Sequence, residues 1–223
     1  VSARMLLPFL SILLVPLCFI LVIYTTTMDT ILISRQETAL NGLKESASIM
    51  SARLEELVNI SSYIYTDSNT NAIINRSRFE PSSRDIYSFY QALDGLPNYK
   101  LTNQMIENVF IFFNRAGFII KQPNAFENTA ENYKSHVGFH GISFEEINML
   151  SRQRYVGGPL VTEDASGRDV LILRSIPNSS SPEGLIAIQV NTAMLDSGLA
   201  TNDIGPGGGA YVLSKEGKIL SSA

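Results

Sequence analysis

NVFIFFNRAGFIIK, residues 108–121, is where the chain changes its period. Two apolar runs of β-branched and aromatic residues, 109–113 and 118–120, flank the turn Asn114-Arg115-Ala116-Gly117. Such side chains pack well on a pleated surface, and Gly117 can take the backbone conformation that closes a turn, so the stretch predicts a β-hairpin. The sequence on one side of it repeats like a helix, and on the other side like a sheet.

Downstream, YVGGPLVTE, DVLILRSIP and GLIAIQVN are three more strand-like runs, reached through an irregular helical stretch at about 127–153. Ser166-Gly167 and SSSPEG at 179–184 supply their turns. GPGGG, residues 205–209, reads as a linker to AYVLSKEGKILSS, a last hairpin turning at Glu216-Gly217. That hairpin is expected to stand without strand partners, and two strands alone are marginal in water.

Upstream, Ile33, Leu40, Ala47, Leu54 and Ser61 alternate with Gln36, Leu43, Met50, Leu57 and Ile64 at spacings of four and three, the heptad pattern of a long helix with one packed face. The expectation is a dimer contact between stalks near the start of this helix that passes into intramolecular packing further along. SNTNAII, 68–74, is expected to break the helix, and PSSRDIYSFYQALDGL, from Pro81, to open another.

The N-terminus is VSARMLLPFLSILLVPLCFILVIYTTTMDT, uncharged from Met5 to Met28. A helix rises about 1.5 Å per residue, so this run covers roughly the 30 Å hydrocarbon layer of a bilayer. No small-x-small cleavage pattern follows Tyr24, and proline at positions 8 and 16 is tolerated in membrane helices, so a retained span is expected. Arg4 before the span and Asp29 after it place the N-terminus in the cytoplasm and the rest of the chain outside.

Composition removes several classes of function. The net charge is −4 with no basic cluster, which excludes a nucleic-acid footprint on this region. Cys18 is the single cysteine, so no intrachain disulfide forms. His136 and His140 have metal-like spacing, but Gly138 and Gly141 disfavour a regular helix there and no third ligand completes a site. KEGK lacks the upstream glycine and the following helix of a phosphate loop. With no nucleophile–base arrangement either, no enzyme activity, cofactor or metal is expected. Arg174 interrupts an apolar strand on the same face as Val170, Ile172 and Ile176. It either pairs internally with Asp164 or Asp169, meets water at a strand end, or binds an anionic ligand in a concave site with Tyr133 and Tyr155 nearby.

The Arg-flanked span with LLVPL, the stalk reaching SARLEELVNISSYIYTDSNTNAIIN, then NYKLTNQMIENVFIFFNRAGFII and GLIAIQVNTAML resemble the extracytoplasmic double-Cache sensors of Gram-positive bacteria. In particular they resemble those fused to AraC-type transcriptional regulators; related sensor histidine kinases begin in almost the same way. The resemblance implies an α+β fold: a transmembrane helix, a long stalk helix and a PAS-like antiparallel sheet. It divides the chain into a cytoplasmic start (1–4), a span (5–27), a stalk (28–66), a membrane-distal sensor module (67–204) and the opening of a proximal module (205–223). It further implies an unidentified small polar or anionic ligand, a homodimer through the stalk, and DNA contact only through a C-terminal domain outside this sequence. Family members that bind amino acids carry an aromatic-Arg-Trp cluster, whereas this chain has no Trp. A partner-binding ectodomain without a small ligand is the alternative.

Overall fold

The computed structural model describes residues 3–74, 90–91, 94–96, 99–121, 123–177, 181–200, 209–214 and 217–222. One helix, α1 (Ala3–Thr66), runs through both the apolar segment and the stalk. In its lower part the large apolar side chains from Leu14 to Tyr24 are exposed, Phe19 and Ile23 at 66% and 60%. Thr25, Thr26 and Thr30 turn their hydroxyls back onto carbonyls of the preceding turn, which satisfies them within the helix.

The heptad stripe divides in two. Met50, Leu57, Ser61 and Ile64 are buried, Met50 against Leu199 and Ala210, while Ile33 and Leu40 remain 57% and 52% exposed. The intramolecular half of the expected packing is therefore present from Met50 upward. The expected break lies at Asp67 alone: its carboxylate accepts from the Thr70 N–H at 3.0 Å and so caps α2 (Ser68–Ile74), making SNTNAII a helix. The helix expected from Pro81 falls largely outside the described residues; 90–91, 94–96 and 99–102 are helical.

Six strands form one antiparallel sheet: β1 (Ile106–Phe113), β2 (Phe118–Lys121), β3 (Asn124–Glu127), β4 (Val156–Asp164), β5 (Gly167–Ile176) and β6 (Gly184–Val190), in the order β3-β2-β1-β6-β5-β4. The expected hairpin is β1–β2, paired from Phe110↔Lys121 to Phe113↔Phe118. β3 was not expected; it extends the hairpin into a three-stranded meander. Between β3 and β4 lies an insert built from α3 (Ala130–Asn132), a π turn (Tyr133–Val137) and α4 (Phe144–Leu150), the last opened by a Ser143–Glu146 capping box.

Alternation along the strands makes two cores. Val109, Ile111, Phe113, Ile172 and Ile186 pack under α1. Phe110, Phe112, Leu171, Leu173 and Leu185 pack under the insert. β4 comes close to α1 at Gly157 (φ +106°), where a Cβ would stand 2.6 Å from a Val58 methyl. Gly157 and Gly158 form a bulge, since pairing passes from Val156↔Arg174 to Pro159↔Ile172 with one extra residue on β4.

After β6 comes α5 (Thr192–Ala200), then the hairpin β7 (Tyr211–Leu213) and β8 (Ile219–Ser222). Among the described residues this hairpin has no third strand, but it is not isolated. Asp196 of α5 accepts from Ser221 Oγ and the Ser222 N–H at 2.8 and 3.1 Å, and Lys218 Nζ donates to the Val161 carbonyl at 3.0 Å. Leu220 is buried in the core under α1. Docking, rather than further pairing, supplies what two strands lack.

Candidate functional site on the insert face of the sheet

The insert lies over the aromatic half of the sheet. Tyr133 is buried, its hydroxyl donates to the Ile142 carbonyl at 2.9 Å, and its ring meets those of Phe139 and Phe144 edge-on or tilted. Burial pushes its phenol far above the ordinary tyrosine range, with the nearby Asp169 carboxylate adding to the shift.

Asp169 is the most unusual group on this face. It is 5% exposed, and strand alternation aims it at the insert. Its Oδ2 accepts from the His140 backbone N–H at 2.7 Å and its Oδ1 from Gln189 Nε2 at 2.8 Å. Gln189 in turn accepts from Asn108 Nδ2 at 2.8 Å, so three strands contribute to one polar row. Directly across from Asp169 in the β4–β5 ladder stands Thr162, whose Oγ1 is buried without a hydrogen-bond partner. Lys121 lies further along the same face, with its Nζ donating to the His136 carbonyl at 2.8 Å and lying 5.2 Å from the centre of the Phe110 ring. Burial lowers the Lys121 pKa.

The rim of the insert is clamped to the β4–β5 turn. Asp164 accepts from the Ser166 hydroxyl and N–H and from the N–H groups of Gly141 and Gly167. These donors, the Ser166 hydroxyl first, hold its carboxyl well below the usual carboxylate range. Gly141 (φ +68°) packs so closely on the Glu163 backbone that no side chain fits. His140 Nδ1 lies 3.0 Å from Ser166 Oγ, whereas the His136 ring lies against Phe126, so the two imidazoles do not converge.

The three residues expected to share a ligand site are not brought together. Tyr133 and Tyr155 both belong to the layer under the insert; the Tyr155 hydroxyl donates to Gln153 Oε1 at 3.1 Å, and burial raises its pKa. Arg174 faces the other way. It is 8% exposed beneath α1, where Nε donates to Ser61 Oγ at 2.8 Å, and burial lowers its pKa. Neither expected carboxylate pairs with it. Asp169 points to the opposite face, and Asp164 is committed to the β4–β5 turn. Alternation could have shown this, because residues 169 and 174 differ by an odd number along one strand. The polar row of Asp169, Gln189 and Asn108, with Thr162 beside it, is a candidate site that the sequence did not single out.

No protein-family model matches this sequence, and no curated protein does. Solved structures match it by fold. The extracellular domain assigned to the histidine kinase vpHK1S-Z8 superimposes with a TM-score of 0.51 at 12% identity, over 74% of this chain and 60% of that domain. The chain thus spans less than two thirds of that domain. The ligand-binding domain of the Pseudomonas aeruginosa PAO1 amino-acid chemoreceptor PctC, in complex with GABA, superimposes with a TM-score of 0.50 at 16% identity, over 84% of this chain and 74% of that domain. At these identities the likeness is one of fold. What these domains share with this chain is the architecture, a long N-terminal helix followed by an antiparallel sheet with helices packed on it.

Proposed function

We propose that this chain is the extracytoplasmic ligand-sensing region of a membrane-bound signalling protein, and that a small polar molecule binds on the insert face beside Asp169. Residues 5–27 of α1 are its membrane span, 28–66 its stalk, 67–204 the sensor module and 205–223 the start of a second module. The observation that carries the ligand reading is Asp169: a nearly buried carboxylate with two hydrogen bonds among the described residues, and the Thr162 hydroxyl, unpartnered among those residues, beside it. A carboxylate has about four acceptor sites, so room remains for a donor such as an ammonium group. The likeness to a GABA-bound domain supports a ligand of that kind, while the lack of Trp argues against the aromatic-Arg-Trp mode. The tyrosines at 133 and 155 shape the apolar side of this site, and Arg174 belongs to the stalk seam instead.

The exposed Ile33 and Leu40 continue the stripe that is buried higher up, and we assign them to contact with a second copy of the stalk. The output expected from the sequence resemblance is an AraC-type regulator acting on DNA through a separate C-terminal domain. A histidine kinase is the second reading, favoured by the likeness to vpHK1S-Z8. The ligand reading is tested by melting the full-length protein in nanodiscs with γ-aminobutyrate, amino acids and polyamines. A binder at a hundredfold excess over Kd should stabilise it by about 2.7 kcal/mol, and Asp169→Asn should remove the effect. A panel without response, or a response that Asp169→Asn leaves intact, would sink the assignment.

A further inference from the structure

We propose a second binding site, between α1 and α5, for a small carboxylate that carries an apolar tail. A cavity of about 270 Å³ separates these helices on the α1 side of the sheet, away from the insert. That is just under the roughly 300 Å³ at which small-molecule sites begin.

Its wall has a definite chemistry. Met50, Met105 and Met194 line it together with Ile49 and Leu195, and methionine adapts its shape to what it meets. Arg53 is the one charged side chain among the residues of the wall. Arg53 is exposed and, among the described residues, makes no hydrogen bond or ion pair. An apolar chamber with a single unpaired guanidinium matches a carboxylate held by its head with the tail inside, since Arg offers paired donors to a planar anion. Ordered water is the poorer occupant, because it needs several polar partners and this wall is largely methionine and aliphatic.

Room for a tail also exists beyond the cavity itself. Met50 lines a second space of about 500 Å³ on the other flank of α1, bounded by Gly157, Val212 and Leu220. Its side chain therefore has free volume on both sides and can yield without moving the helix backbone. At Gly198 the wall comes close, for a Cβ there would stand 3.2 Å from Met50 Cε.

The test uses the chain in nanodiscs with methyl-labelled methionine, hexanoate as probe, and hexylamine and hexanol as controls. Three of the six methionines line the cavity, while Met149 is 55% exposed on the insert and serves as an internal control. Hexanoate should shift the Met50, Met105 and Met194 methyls saturably and leave Met149 unmoved. Arg53→Gln, at an exposed position that should not disturb folding, should weaken the apparent affinity about tenfold or more by removing a charge-assisted contact. Gly198→Ala should weaken it as well. The proposal is overturned if no cavity methyl shifts at millimolar hexanoate, if all six shift together as in partition into lipid, if hexylamine matches hexanoate, or if Arg53→Gln binds unchanged.

Discussion

The two faces of the sheet are built on different principles. The face under α1 is largely aliphatic, interrupted by one buried guanidinium that, among the described residues, finds a serine hydroxyl and no carboxylate. The face under the insert is aromatic and carries a polar row of Asn108, Gln189 and Asp169 drawn from three strands. A cation buried with a single neutral partner is costly, whereas a carboxylate with spare acceptor sites is a receptor for donors. The comparison teaches that the sheet uses one face mainly to seat a helix, while the other carries the polar row on which the proposed ligand reading rests.

The largest test asks whether the faces are energetically one unit. Phe110→Ala empties a fully buried position beneath the insert and should cost about 3–5 kcal/mol, and Leu57→Ala beneath α1 about 2–5 kcal/mol. Pulse proteolysis should show each loss in a single shared transition, because both layers hang on the same strands. An insert that melts alone in Phe110→Ala would break the comparison into two independent modules. Next in size is the stalk seam: Ser61→Ala strands the Arg174 Nε–H and should cost about 1–3 kcal/mol, an effect that disappears in an Arg174→Met background. Additive losses in that double-mutant cycle would mean that Ser61 matters only as filler.

The smallest effect concerns the clamp. Asp164 is held below its ordinary pKa, so its contribution is complete above roughly pH 4 and is lost as pH falls through the lower folded value. Amide exchange of residues 138–143 should accelerate across that acid window in the wild type and show no such step in Asp164→Asn. The same step in both proteins would assign the transition to another group.

The sheet was legible where the side chains themselves are strand-like, as in VFIFF and VLILRSI. β3 was not, because NAFE is four residues long, half polar and sits at the sheet edge where little packing is asked of it. SNTNAII looked like a breaker on propensity, yet the carboxylate of Asp67 restarts the helix locally. For Arg174 the face was readable and the neighbours were not. Alternation assigns a side, but which element covers that side is settled only by the long-range path of the insert and of α1. The polar row was hidden for the same reason, since Asn108, Gln189 and Asp169 are ordinary residues until three strands are set side by side.

The outermost strands have a consequence for life at a crowded surface. An open sheet offers two unpaired backbone ladders, each an invitation to any other extended chain. One border here is β3, only four residues long. The other, β4, is nine residues long, but it is kinked by the Gly157–Gly158 bulge and followed by Pro159, which has no N–H to offer. A foreign strand finds no continuous row to zip onto at either border. If the chain sits in a membrane as proposed above, copies held side by side would have no ready sheet-to-sheet contact at these borders.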